Sequence, residues 1–219
     1  MRAGVDEAGR GPVLGPLVVA GVAGPPRAVP AGVDDSKRLS PGLRARLARE
    51  IRGSTALGSV ALVIDADELN RRMRAGENLN RIELHAFCQV IERLGAASAV
   101  VDALGSRPER LGAELTRRLG VPVEARVGAD RSDPLVSAAS ILAKVERDEA
   151  IVRIADELGA DVGSGYPSDP RTRAFLRAWR AKHDEPPPHA RTAWSTIEDL
   201  GFGRTTLDAF VAGGARGEL

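Results

Sequence analysis

Apolar residues open the chain in runs too short for helices. Met1 to Asp6 and Leu17 to Ala23 are two such runs, joined by a segment rich in glycine and proline, and together they predict a hairpin of two strands. Val60 to Ile64 predicts a third strand. Between the second and third, Ser40-Pro41 reads as an N-cap with proline at the first helical position. Leu43, Leu47 and Ile51 then recur at helical spacing, and Gly53 stops the helix.

The rhythm turns helical from about Asp65 to Ala75, with a basic face of Arg71, Arg72 and Arg74, and again from Leu79 to Leu94, where Leu84, Phe87, Ile91 and Leu94 form one stripe. Ala97 to Asp102 is an apolar run ending in an acid and predicts a buried strand. Pro108 opens a helix with Leu111 and Leu115 facing inward. Val121, Val123, Ala125 and Val127 then alternate with Pro122, Glu124 and Arg126, which is a strand pattern. Asp133-Pro134 opens a long helix to about Leu158. Three early strands followed by strand, helix, strand, helix predict an α/β chain: a mixed sheet with an antiparallel meander and parallel additions.

From Gly163 the pattern changes. Gly-Tyr-Pro-Ser-Asp-Pro leads into a helix carrying Phe175, Leu176 and Trp179; a break follows at Pro186-Pro187-Pro188, then a last helix near Thr192 to Leu200. The expected division is a main α/β domain over 1–162, a helical extension over 163–203 and a tail over 204–219.

A chain of 219 residues can build one sizeable core with a small appendage. The net charge is only +1, so any surface for a polyanion must come from local clustering. The single cysteine, Cys88, lies in an apolar run and reads as a buried small hydrophobe. Without a disulfide or an apolar run long enough to span a bilayer, the expectation is a cytoplasmic protein with no membrane contact. Aromatic residues are 3%, which excludes a broad platform for stacking bases. No coiled coil or interface stripe stands out, so a monomer is expected.

Candidate chemistry begins at Asp6-Glu7-Ala8-Gly9-Arg10-Gly11. Adjacent carboxylates repel unless something cationic neutralises them, and a divalent metal is the usual answer. Asp102 ends the apolar strand, and Asp130 follows the alternating one. Strand ends can converge in one crevice. Asp6, Glu7, Asp102 and Asp130 there would form an oxygen-rich site suited to Mg²⁺ or Mn²⁺. Two such ions roughly 4 Å apart clamp the attacking and leaving oxygens of a phosphodiester. The plain alternative for any single strand-end aspartate is a loop cap. Four together, beside a Gly-Arg-Gly turn, weigh against it.

These segments resemble ribonuclease HII, the type 2 RNase H, and look most like its archaeal branch. The matching stretches are Gly4-Val5-Asp6-Glu7-Ala8-Gly9-Arg10-Gly11-Pro12 with Gly15-Pro16-Leu17, Asp35-Ser36-Lys37-Arg38-Leu39, Val101-Asp102, Ala129-Asp130, the run from Val136 to Val145, and the run from Gly163 to Pro170. The resemblance implies an RNase H-like fold, with a five-stranded mixed sheet flanked by helices and a C-terminal helical extension. It implies cleavage of the RNA strand in RNA/DNA hybrids and cutting 5' of single ribonucleotides embedded in duplex DNA, leaving 5'-phosphate and 3'-hydroxyl ends. Roles in ribonucleotide excision and RNA primer removal go with it.

Carried over by position, the metal-binding acids fall on Asp6, Glu7, Asp102 and Asp130. The ribose 2'-hydroxyl sensor falls on Gly9, Arg10 and Gly11, and the tyrosine at the ribonucleotide junction on Tyr166. Lys37 and Lys144 also sit in matching motifs. Lys144 lies one helical turn after Ser140, so both could meet a phosphate; a solvated lysine is the alternative. Arg171, Arg173, Arg177, Arg180 and Lys182 form either a backbone-binding face or a solvated one. In the tail, Arg204 to Phe210 resembles a box that binds the sliding clamp, with Leu207 and Phe210 as apolar anchors; a frayed tail is the alternative. The rival function is an RNase H-like DNA nuclease of the resolvase or transposase type. Gly9-Arg10-Gly11 and Tyr166 argue against it, because the 2'-hydroxyl is what separates RNA from DNA.

Overall fold

The computed structural model describes residues 1–33, 39–103, 105 and 107–202. Lys37, Leu207 and Phe210 therefore lie outside the described residues. Strands β1 (Arg2–Ala8), β2 (Leu17–Ala23), β3 (Gly58–Ile64), β4 (Ser98–Asp102) and β5 (Val123–Arg126) form one sheet in the order β3-β2-β1-β4-β5. β1, β2 and β3 pair antiparallel; β4 pairs parallel with β1, and β5 parallel with β4. This is the expected mixed sheet: a meander with parallel additions at one side.

The helices are α1 (Pro41–Gly53), α2 (Ala66–Arg74), α3 (Leu79–Arg93), α4 (Pro108–Leu119), α5 (Pro134–Leu158), α6 (Pro170–Arg180) and α7 (Ser195–Asp199). Most of their ends have local causes. The Ser40 hydroxyl accepts from Leu43 N, Asp65 from Glu68 N, Asn78 from Arg81 N, and Asp133 from Leu135 N and Val136 N. α4 and α5 stop at Gly120 and Gly159, both left-handed, where only glycine is unstrained.

Every residue of β2 is buried, because the sheet is covered on both faces. Leu17, Val19 and Ala23 pack with Ile82, Phe87, Val90 and Ile91 of α3. Val18, Ala20 and Val22 pack with Leu135, Ala138 and Leu142 of α5 and Leu47 of α1. Cys88 is buried in the α3 layer, as its apolar setting predicts. The start of α5 crosses β1 at Gly4, where a Cβ would lie 2.3 Å from the Leu135 carbonyl carbon and the Val136 nitrogen. A third cluster joins Val13 and Leu14 of the β1–β2 loop and Ile151 and Ile154 of α5 to Phe175, Leu176, Ala190, Ile197 and Phe202. The segment after Gly163 is thus packed against the loop that follows the first two acids.

Several boundaries differ from the periodicity, and two of them lie at strand ends near the acids. β1 runs on to Ala8, because its ladder with β2 continues through Glu7↔Val19 and Ala8↔Val18. β5 is shorter than its alternating pattern, since its ladder with β4 covers Val123 to Arg126 and Val127 is exposed.

Candidate active site

β1 and β4 run parallel with Val5 opposite Val101, so the next residues, Asp6 and Asp102, stand side by side at the same end of the sheet. Asp130 joins them from a single 3-10 turn, Ala129–Arg131, between β5 and α5. That turn is tied to both neighbours. Ala129 N donates to Asp102 Oδ1 at 2.7 Å, and Ser137 Oγ of α5 donates to the Asp130 carbonyl at 2.5 Å. Asp6, Asp102 and Asp130 each bring a carboxylate oxygen to within 4.8 Å of the others. Asp6 and Asp130 are buried and Asp102 is half-buried.

Glu7 stands outside that group of three. Successive strand residues point to opposite faces, so the neighbour of Asp6 cannot share its direction. It still lines the same cleft, of about 460 Å³, together with Asp6, Asp102, Asp130, Gly9, Arg10, Gly11, Lys144 and Tyr166. Its Oε2 is buried with no partner among the described residues.

Burial pushes the Asp6 carboxyl up to about 7. The nearby Asp102 adds to the rise, while the Ser140 hydroxyl and Lys144 oppose it. Burial, then Asp6 and Asp102, push Glu7 up to about 8. Lys144 Nζ donates to Ser140 Oγ at 2.7 Å, so the helical-turn pair predicted from spacing stands beside Asp6. The chain thus concentrates hard oxygen donors and buried negative charge at one point, a donor set that fits Mg²⁺ or Mn²⁺.

The turn after the acids is held from several sides. Gly9 has φ +90°, and a Cβ there would lie 2.6 Å from the Pro16 carbonyl oxygen and 2.7 Å from Arg147 Cδ. The Arg10 guanidinium is turned to α3, paired with Glu83 and 2.5 Å from Asn80 Oδ1. Tyr166 faces the turn from the extension, its ring Cε1 being 3.9 Å from where a Gly11 Cβ would be. Gly165 next to it accepts from Val13 N and Leu14 N at 2.9 and 3.3 Å. Asp169 holds the same loop, accepting from Ser164 N at 2.7 Å and Arg171 N at 2.9 Å.

Residues 3–197 match the family described as Ribonuclease HII. Ribonuclease HII of Archaeoglobus fulgidus is 45% identical over 212 residues, which cover 96% of this chain and 100% of that protein. The chain belongs to the ribonuclease HII family. It is therefore a ribonuclease H, an endonuclease of the hydrolase class. The solved PCNA:RNase HII complex from A. fulgidus superposes with a TM-score of 0.83 at 44% identity, covering 96% of this chain and 100% of that one. The ribonuclease H2 from Pyrococcus horikoshii OT3 superposes with a TM-score of 0.81 at 34% identity, covering 91% and 96%. The RNase H-like fold and the archaeal resemblance read from the motifs both hold.

In this ribonuclease HII the cleft also contains residues that the motifs did not single out. Arg44 and Asp148 line it, 3.1 Å apart. Arg147 lies under Tyr166, its guanidinium carbon 4.7 Å from the ring centre, and donates to the Ser164 carbonyl at 2.7 Å. Its spacing from Lys144 on one helix face was the available signal. The basic residues of α6 are partly engaged by acids: Arg180 lies 2.9 Å from Asp184, and Arg171 3.7 Å from Asp161. Among the described residues no helix is long and apolar enough to cross a membrane.

Proposed function

We propose that this ribonuclease H hydrolyses the RNA strand of RNA/DNA hybrids and cuts 5' of a single ribonucleotide in duplex DNA, in a reaction assisted by two divalent ions. The observation that carries the reading is one cleft in which the acidic group, the Gly9-Arg10-Gly11 turn and Tyr166 all meet. A DNA nuclease needs the first but has no use for a ribose sensor beside it.

Asp6, Asp102 and Asp130, with Glu7 adjoining, would hold the ions, and the raised carboxyls and the unpartnered Glu7 oxygen fit that role. When bound, such ions lower the pKa of an attacking water and neutralise charge on a departing oxygen. The chain's own groups do the rest. The Gly9-Arg10-Gly11 backbone meets the 2'-hydroxyl, Tyr166 packs its ring on the sugar at the junction, and Ser140 with Lys144 faces a phosphate. Water's oxygen joins phosphorus as the bond to the 3'-oxygen breaks, leaving a 5'-phosphate and a 3'-hydroxyl. Excision of ribonucleotides from DNA and removal of RNA primers are the processes this chemistry serves.

A duplex carrying one ribonucleotide, incubated with Mg²⁺, Mn²⁺ or EDTA, tests the reading. Cleavage 5' of the ribonucleotide is expected, abolished by EDTA and reduced at least about 100-fold by Asp102→Asn. Cutting of an all-deoxy duplex, or none of the ribonucleotide duplex, would refute it. We further propose that the tail binds a sliding clamp through Leu207 and Phe210. Support comes from the apolar spacing of the tail and from the A. fulgidus relative, which was solved in complex with PCNA.

A further inference from the structure

Arg191 is completely buried, yet among the described residues it ends on no carboxylate. Its guanidinium donates to three backbone carbonyls instead: Gly9 O at 2.7 Å, Arg10 O at 3.1 Å and Gly15 O at 2.8 Å. Burial and the neighbouring Arg147 bring its pKa down to about 9, which still leaves it charged near neutral pH. An ion buried without a counter-ion is a standing cost to folding, which points to a use.

The use follows from peptide geometry. No peptide bond among the described residues is cis, and in a trans peptide the C=O and the following N–H point in opposite directions. Holding the Gly9 carbonyl inward therefore aims the Arg10 N–H outward, and holding the Arg10 carbonyl inward does the same for the Gly11 N–H. Outward is the cleft that Gly9, Arg10 and Gly11 line. We infer that Arg191 is a positioning residue for ribose recognition: it fixes two backbone N–H groups toward the 2'-hydroxyl from behind the turn. The inference rests on the proposed function and extends it to a residue outside the cleft.

The planar fork of arginine suits this task, since three carbonyls are met at fixed angles. The guanidinium is itself held in place. The Trp194 ring lies 5.0 Å from its carbon, and Arg191 N donates to Val13 O at 2.8 Å. From α2, Asn70 grips both flanks, donating to Ala190 O and accepting from Thr192 N, each at 2.8 Å. The extension thereby reaches the back of the turn through Arg191, while its Tyr166 faces the turn from the cleft.

The test compares the full chain with Arg191→Lys, Arg191→Met and Asn70→Ser. Affinity is read by fluorescence anisotropy in Ca²⁺ for a duplex with one ribonucleotide and for the all-deoxy duplex, and kcat/KM is read in Mg²⁺. Both Arg191 variants should lose about 100-fold in kcat/KM on the ribonucleotide duplex, the scale of a small misplacement of a recognition group. Their ribonucleotide-to-deoxy affinity ratio should collapse toward one, while affinity for the all-deoxy duplex and the Mn²⁺-induced rise in Tm persist. Asn70→Ser loosens the same segment from outside the cleft and should lower the ratio less; it remains informative if the Arg191 variants do not fold. An unchanged ratio in every folded variant, or equal losses on both duplexes, overturns the inference. A wild-type chain with no preference for the ribonucleotide duplex would instead overturn the proposed function, and this inference with it.

Discussion

The decisive residues are two neighbouring carboxyls that the fold keeps out of water. Asp6 is pushed up to about 7 and Glu7 to about 8, whereas both would titrate near 4 in an unfolded chain. Between about pH 4 and pH 8 the folded, metal-free chain therefore binds more protons than the unfolded one, and stability must fall as pH rises across that window. At about 1.4 kcal/mol per unit, Asp6 alone could lose on the order of 4 kcal/mol. In EDTA, Tm is expected to drop from about pH 5 to about pH 8, with a shallower slope in Asp6→Asn. Mn²⁺ should raise Tm more at the upper pH than at the lower. A slope in EDTA equal in wild type and Asp6→Asn would show that burial of this carboxyl is not the cause. The adjacency of the two acids was plain in the sequence, because it is covalent. That they point to opposite faces followed only once Glu7 proved to be inside the β1 ladder.

At the scale of elements, the crossing of α5 over β1 sets the site. α5 carries Ser140, Lys144 and Arg147, and its start lies against Gly4, two residues before Asp6. Gly4→Ala would drive a methyl group into backbone that has no rotamer to escape by. A loss of about 3 kcal/mol is expected, measured as a lower urea midpoint with an unchanged m-value. Because α5 would have to lift, activity should fall in the same variant under conditions where it remains folded. Substitution with no effect on either would mean that the helix can slide freely over the strand. The helices themselves were legible from caps and periodicity: Ser40-Pro41, Asp133-Pro134 and the left-handed Gly159 mark their ends by local chemistry. The close approach at Gly4 was not, since nothing near Gly4 in sequence announces Leu135.

Across the whole molecule, the segment after Gly163 behaves as part of the site. It supplies Tyr166 to the cleft, Arg191 to the back of the turn, and apolar residues to a cluster shared with Val13, Leu14 and α5. The proposed recognition group draws on both ends of the chain, the turn after β1 and the extension, whereas none of the acids lies in the extension, so local damage to the extension should reach ribose recognition before it reaches the acids. The tail beyond it is proposed to bind a clamp. In a pull-down with the sliding clamp, Phe210→Ala should reduce capture at least about 10-fold while leaving cleavage of short duplexes unchanged. Equal capture of wild type and variant would remove the clamp from the account.

By itself the sequence determined most of the elements and the mixed sheet, and it named three acids, Asp6, Asp102 and Asp130, that the fold brings together, because periodicity, capping and strand-end placement are encoded within a few residues. Tertiary structure decided what those acids face. The pairing of Val5 with Val101 brought Asp6 beside Asp102, and packing across 182 residues of chain set Arg191 behind Gly9. Such contacts depend on which surfaces bury each other, and no local pattern records that.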